Sequence, residues 1–344
     1  SCNRGKRSIA LDFSMAAGAE LVRDLARDAD VLVENYRPGT LARYGLDHAA
    51  LRAINPRLIY CSISGYGRIS SLAKRAGYDS VIQAEGGLIS ICGERDGPPV
   101  KVGVSIADLL SGMNAVQAIL AALIARGRTG EGQFIDISLL DGVVAVLANL
   151  GAGYLIDGRN PGRWGTEHPN LVPCQAFPVK DGEIVLVIGN DRQFSALCAA
   201  MALPEIADDP RYRTNRDRVL NRDTLLPLLK QAFAKHSRAD WLARLHDAGL
   251  PAGAIRSVSE VLSATEVRER DMVVRFEHIS AGEIELVGSP LKLTGTPVRY
   301  DRPPPILGEH THEVLAELGV AGERLSRLVS EGAIAAQSAT AAVT

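Results

Sequence analysis

The chain has 344 residues, 46% hydrophobic and 23% charged, which is enough for a full core and suits two domains of ordinary enzyme size. Its 38 lysines and arginines nearly balance 40 aspartates and glutamates, and no basic tract stands out. A nucleic-acid surface is therefore not expected, and an anionic ligand must be met by local cations. The five cysteines, Cys2, Cys61, Cys92, Cys174 and Cys198, are odd in number and scattered without a C-x-x-C pair. That pattern argues against a disulfide framework or a zinc site and fits a reducing, cytoplasmic compartment. The apolar run 143–155 is too short to span a bilayer and is interrupted by Asn149, Gly151 and Gly153. No n-region and h-region are read in its opening residues, so a secretory leader is not expected.

Taken in order, residues 8–12 read as a strand and 14–29 as an amphipathic helix with Leu21, Leu25 and Ala29 on one stripe. A buried strand at 31–33 follows, then a turn with short helices over 38–54, and another strand at 58–63. This β-α-β-α-β order predicts a parallel sheet with helical crossovers. Such a sheet invites a dinucleotide, yet Gly65-Tyr-Gly67 and Gly151-Ala-Gly153 both lack the third glycine of that fingerprint, and no phosphate loop of the G-x-x-x-x-G-K-[ST] type occurs.

Residues 78–92 are expected to be helical, with Gly86-Gly87 inside the helix, and 96–99 to turn. The chain then reaches KVGVSIADLLSGMNAVQAILAALIAR, residues 101–126, where apolar residues recur at helical spacing and Asp108 is the one charge between Lys101 and Arg126. This predicts a buried helix with a carboxylate at its mouth. A strand at 133–138 and a second long helix at 140–155 complete a first domain over 1–156. Residues 157–170, rich in Gly, Pro, Asn and Arg, read as a linker or a loop over a site. A hairpin around Asp181-Gly182, helices at 193–201, 222–235 and 238–248 (Ser237 as N-cap) and a strand at 253–258 make a smaller α+β domain over 157–270. Residues 271–334 return to the large domain with strands at 272–278 and 283–287 and a helix at 311–318. A tail over 335–344, rich in Ala, Ser and Thr, is expected to be disordered.

Several constellations carry two readings each. Asp108 is either a plain helix cap or a nucleophile in a partly desolvated site beside an electrophile. Asn35-Tyr-Arg-Pro-Gly39 follows a parallel strand, where ligands of open α/β sheets gather, although Asn35 and Gly39 also suit a simple turn. Arg37 and Arg43 are close enough to face one phosphate cluster, and Tyr36 with Tyr44 to flank an adenine. Tyr78 and Asp79 open a helix as a hydrophobic staple and cap, or line the site. Asp136 reads as structural and Asp141 as a helix cap. Glu309-His-Thr-His312 looks like a metal tract but has no supporting cluster, so it reads as a solvated loop with Thr311 as N-cap. His168 lies in the linker and is not taken as catalytic.

The strings NRGKRSIALDF, ENYRPGTLARYGLD, SISGYG, GYDSVIQAEGGL and DGPPVKVGVSIADLLSGMNAVQAILAALIARGRTGEGQFIDISLLDG, with PNLVPCQAFPVKDG and RPPPILGEHT beyond, resemble class III CoA-transferases, the formyl-CoA and carnitine CoA-transferase type. The later strings are closest to the branch of succinate-hydroxymethylglutarate CoA-transferase. The resemblance covers almost the whole chain. It implies a Rossmann-like large domain, a smaller domain and an interlocked homodimer. It also implies that acyl-CoA and a small carboxylic acid are the substrates, with no metal and no permanently bound cofactor. Asp108 matches the family's nucleophilic aspartate. Asn35, Tyr36, Arg43 and Tyr44 would then contact the CoA nucleotide, and Tyr78 with Asp79 would lie beside the thioester. Backbone N–H groups near Gly86 and Gly87 are candidate oxyanion donors, and Arg163 or Arg75 could hold the remote carboxylate of a dicarboxylic acid.

Two departures stand out: the family's opening β-α-β unit is expected to be missing before Ser1, and the segment ISGYGRISSLAKRAGYD lacks a Gly-Pro. An inactive CoA-binding subunit is therefore one alternative. The racemase branch of the family is the other. Racemisation needs an acid-base group on each face of the α-carbon, and a phenol of ordinary pKa near 10, as at Tyr78, is poorly matched to that task.

Overall fold

Residues 2–335 are described by the computed structural model. Two units emerge: Ser1–Gly87 with Gly103–Gly151 and Leu262–Thr344, and Leu88–Val102 with Ala152–Val261. Residues 88–102, which the sequence assigns to the large domain, thus group with the second unit.

In the first unit, α1 (Ala16–Asp28) leads to β1 (Val31–Glu34), a 3-10 turn (Leu41–Tyr44), α2 (His48–Ile54) and β2 (Ile59–Ser64). The Asp47 side chain caps α2 by accepting from the Ala50 N–H at 3.2 Å. Next come α3 (Asp79–Glu85), α5 (Ile106–Thr129), β3 (Phe134–Ser138) and α6 (Leu139–Ala145), while α4 (Leu88–Ile91) and, from Ala152, α7 (Ala148–Asp157) group with the second unit. The three strands form a parallel sheet in the order β1-β2-β3, with Val33 opposite Cys61 and Cys61 opposite Ile135. Alternation sends Ile59, Cys61 and Ile135 onto Ala115 and Ala122 of α5, while Tyr60 packs with Ala19, Ala26, Leu46 and Leu51 on the other face. The expected β-α-β-α-β crossover therefore holds for the strands at 31 and 59, but not for the first one.

Residues 8–12 form no strand. They make a single antiparallel bridge, Leu11 to Ile334, and spend their other backbone donors on side chains, Ser8 N–H on His310 Nδ1 and Ala10 N–H on Thr311 Oγ1. Their apolar alternation is satisfied by packing Ile9 and Leu11 against Leu315, Val320 and Leu328.

Three helix expectations also need correction. Residues 78–92 break into α3 and α4 at Gly86-Gly87, with Gly87 at φ +86°. Residues 140–155 divide into α6 and α7, bent by 75°, with Ala148 at φ +45° where the second piece starts. Within this chain α5 is not a buried helix: Ala107, Ser111, Ala115 and Ala122 are covered, but Leu109, Met113, Val116, Leu120 and Ile124 are 52 to 65% exposed. An apolar pattern on all sides names no covered face, and here the covered residues are those that meet the sheet, α3 and α6. By length and composition α5 is long and apolar enough to cross a membrane.

In the second unit, β4 (Cys174–Val179) and β5 (Gly182–Val187) form the hairpin, followed by α8 (Asp191–Ala200), α9 (Pro204–Asp208), α10 (Asn215–Leu220), α11 (Arg222–Phe233), α12 (Arg238–Asp247) and β6 (Ala252–Ala254), which pairs with β5. Phe177, Ile184, Phe194, Leu229, Phe233 and Trp241 fill its core. After α13 (Val258–Ser263) the chain is back in the first unit, with α14 (Thr265–Arg268), the hairpin β7 (Val273–His278) and β8 (Gly282–Val287), then α15 (Thr311–Glu317) and α16 (Gly322–Ser330). Except for Ala335, the expected tail lies outside the described residues.

Candidate active site

The turn after β2 sets up the site. A Cβ added to Gly65 would stand 2.8 Å from the Gly77 Cα, so two glycines let the turn touch the chain just before Tyr78. Tyr78 is the N-cap of α3 and 75% exposed, and Asp79 is its first helical residue. The Asp79 carboxylate serves two helices. Its Oδ2 accepts from Nε2 of the fully buried Gln83 at 2.7 Å, and its Oδ1 accepts from the Ala107 backbone N–H, in the first turn of α5, at 2.8 Å.

Asp108 lies next to that N–H. Ser105 is the N-cap of α5 but makes no side-chain cap hydrogen bond, so Asp79 supplies from outside what the helix's own sequence does not. Asp108 is consequently no cap. Although its residue is exposed to solvent, partial burial of the carboxyl and then the nearby charge of Asp79 push its pKa above the usual carboxylate value. A more basic, partly desolvated carboxylate is a better nucleophile than a hydrogen-bonded cap.

At the end of β1, Asn35, Tyr36, Arg37 and Arg43 are exposed and Tyr44 is half-buried. Neither Arg37 nor Arg43 is in an ion pair among the described residues. The two tyrosines do not frame an open slot. Phe13 meets both edge to face, at 5.5 Å from Tyr36 and 5.6 Å from Tyr44. Phe13 was not singled out in the sequence, nor was Glu34, whose Oε2 accepts from the Tyr36 N–H at 2.8 Å. An aromatic ahead of a helix and an acid ending a strand carry no local signature for such roles.

Other candidates are engaged elsewhere. The Gly86 and Gly87 N–H groups donate to the Ile82 and Ala84 carbonyls, so they are not open oxyanion donors. Gly86 instead permits close packing, because a Cβ there would lie 2.5 Å from Val143 Cγ1. Arg75 is held by Glu85 at 2.6 Å, which also accepts from the Tyr66 hydroxyl at 2.6 Å. In the second unit, Arg163 donates to the Glu94 and Gly97 carbonyls, and His168 Nδ1 accepts from the Asn170 N–H. Asp136 accepts from the Arg68 N–H, as a structural residue would. Ser138, not Asp141, caps α6, its Oγ accepting from the Asp141 N–H. His310, not Thr311, stands at the N-cap of α15, and the described residues hold no group of three or more His, Cys, Asp and Glu that could bind a metal.

Residues 1–311 match CoA-transferase family III. The chain is 46% identical to the succinate–glutarate CoA-transferase of Agrobacterium fabrum, across 92% of this chain and 79% of that one. It is 40% identical to the human succinyl-CoA:glutarate CoA-transferase, across 97% and 76% of the two chains. The fold is similar to that of a CAIB/BAIF family protein from Brucella suis, with a TM-score of 0.85 and 43% identity over 92% of this chain and 83% of that one. This chain therefore belongs to CoA-transferase family III, and it moves CoA from an acyl-CoA donor to a free carboxylic acid.

Proposed function

We propose that Asp108 carries the transfer as a covalent nucleophile. Its carboxylate attacks the thioester carbonyl of the donor, expels CoA as the thiolate and becomes a mixed anhydride. The thiolate then attacks the aspartyl carbonyl, releasing the donor's acid and leaving an aspartyl-CoA thioester. The incoming carboxylate attacks that thioester, expelling the CoA thiolate and forming a second mixed anhydride. The thiolate then attacks the acceptor's carbonyl, which gives the new acyl-CoA and frees the Asp108 carboxylate. The observation that supports this reading most is the uncapped, raised-pKa state of Asp108 beside Asp79. Tyr78 and Asp79 would lie next to the thioester, and Asn35, Tyr36, Arg37, Arg43 and Tyr44 would hold the nucleotide. The unpaired, exposed guanidinium groups of Arg37 and Arg43 suit its phosphates.

The donor and acceptor in this reading are a succinyl-CoA-type thioester and a dicarboxylic acid. Relatives named for glutarate from Agrobacterium fabrum and human, and for mesaconate from Haloarcula hispanica, support that choice. A second copy of the chain covers the exposed stripe Leu109, Met113, Val116, Leu120 and Ile124, giving a homodimer that works in the cytoplasm. Assaying a panel of acids with succinyl-CoA tests the substrate class. Glutarate and similar dicarboxylates should exceed formate and carnitine in kcat/KM by about 10²-fold or more, and a preference for either of those monocarboxylates would overturn it.

A further inference from the structure

Away from Asp108, a polar row, buried at Glu34 and Ser62 and exposed at Asp136, crosses the sheet near the carboxyl ends of its strands. Glu34, Ser62 and Asp136 are in register across β1, β2 and β3 and so share one face. The Glu34 side chain is 3% exposed and Ser62 is fully buried. Arg68, just beyond the Gly65-Tyr66-Gly67 turn, gathers this row. Its guanidinium pairs with Glu34 Oε1, its Nε donates to Ser62 Oγ at 2.7 Å, and its backbone N–H donates to Asp136 Oδ2 at 2.8 Å. The other oxygen of Glu34 is the acceptor for the Tyr36 N–H.

Two physical points give this arrangement a consequence for ligand binding. A carboxylate as buried as Glu34 needs a partner cation to offset the loss of its water and to hold it in place. And a cavity of about 340 Å³ lies along the segment after Tyr36, lined by Gly39, Leu41 and Ala42 and by Tyr60, Arg68 and Phe134. The far end of the segment packs on the core through Leu41 and Tyr44, whereas Tyr36, Arg37 and Gly39 are exposed. Its near end is therefore tied by the Glu34 carboxylate at the Tyr36 peptide and the Phe13 ring between the tyrosines. Turn bonds from Thr40 N–H to the Arg37 carbonyl and from Arg43 N–H to the Thr40 carbonyl link that end to Arg43.

We propose that Arg68 is a positioning residue for CoA: through Glu34 it fixes the Tyr36 peptide and thereby the placement of Arg37 and Arg43, and it acts on CoA binding and not on the chemistry at Asp108. This rests on the assignment of residues 35–44 to the CoA nucleotide. The experiment measures CoA affinity by calorimetry, together with kcat and both KM values, for Arg68→Met, Arg68→Lys, Arg43→Ala and the double variant Glu34→Gln with Arg68→Met. Arg68→Met should weaken CoA and raise KM for acyl-CoA by about tenfold or more, with kcat and KM for the acceptor acid within about threefold. Arg68→Lys, which keeps the charge but not the fork of donors, should fall between Arg68→Met and wild type.

The double variant removes both charges of the pair while its Gln keeps an oxygen for the Tyr36 N–H, so it should bind CoA better than Arg68→Met alone. Should Arg68→Met fail to fold, the double variant decides. If it is folded and its kcat collapses while CoA affinity is unchanged, the inference is overturned. If Arg43→Ala weakens CoA and Arg68→Met does not, the positioning role is wrong but the CoA segment stands. If neither variant weakens CoA, the assignment of residues 35–44 itself fails, and the inference falls with it.

Discussion

Two helices in this molecule open on the same local pattern and put it to different uses. Ser105-Ile-Ala-Asp108 begins α5, and Ser237-Arg-Ala-Asp240 begins α12. At α12 the pattern closes into a capping box: Ser237 Oγ accepts from the Asp240 N–H at 3.2 Å, and Asp240 Oδ2 accepts from the Ser237 backbone N–H at 3.4 Å and from its hydroxyl at 2.7 Å. Those bonds favour the ionised form and hold the Asp240 carboxyl below the usual range. At α5 the box does not form, Asp79 from α3 occupies the Ala107 N–H, and the Asp108 carboxyl is shifted the other way. A local cap stabilises by roughly 1 kcal/mol. At α5 that local contribution is absent, and the carboxylate which would have made it is left available for reaction.

The largest expected effect lies on the α5 side of this comparison. Asp108→Asn should lower kcat by at least about 10³-fold with the far-UV circular dichroism unchanged, and retention of most activity would remove the nucleophile from the account. The same variant reports on stability. Because the folded-state pKa of Asp108 is raised, folding disfavours its ionised form, which costs stability above the folded pKa and is relieved as pH falls through it. Tm of Asp108→Asn should therefore exceed that of wild type near neutral pH, and the gap should shrink in acid. A gap that widens in acid would mean that the shift has the opposite sign.

Next in size is Asp79. Asp79→Asn keeps an oxygen for the Ala107 N–H but removes the neighbouring negative charge, so the Asp108 carboxyl should titrate lower. The acid limb of the kcat/KM profile should move to lower pH, and an unmoved limb would show that burial alone, the larger cause, sets the shift.

The smallest effect contrasts the two serines directly. Ser237→Ala should cost about 1 kcal/mol in denaturant unfolding and leave transfer unaffected, whereas Ser105→Ala, with no cap bond to lose, should cost less than about 0.5 kcal/mol. Equal costs would show that Ser105 caps α5 in solution.

This contrast also marks how far the sequence can be read. The S-x-x-D pattern is legible at both helices, and at Ser237 the expected N-cap is present. Nothing local tells that Ser105 fails to cap, because the deciding group, Asp79, is brought in by the fold. The parallel strands at 31 and 59 and the hairpin at Asp181-Gly182 follow from alternation and turn chemistry, which act within a few residues. The segment at 8–12 has the same alternation but no strand beside it, only the Leu11 bridge and the side chains of His310 and Thr311, some 300 residues away. The exposed stripe of α5 was misread for a related reason: periodicity reports that a face is apolar, not what covers it. At the candidate site, Asp108, Tyr78 and Asp79 stand out in the sequence by their places at helix starts, and the roles proposed for them come from the resemblance. Glu34, Arg68 and Phe13 act through long-range contacts and have no motif of their own.

The central claim is that Asp108 becomes covalently linked during transfer. Enzyme mixed with succinyl-CoA, quenched in acid within one turnover and digested for mass spectrometry should carry CoA or succinyl mass on the peptide containing Asp108, and the label should disappear when excess acceptor acid is added before the quench. Transfer that proceeds with this peptide unmodified, or with the label on another residue, would contradict it.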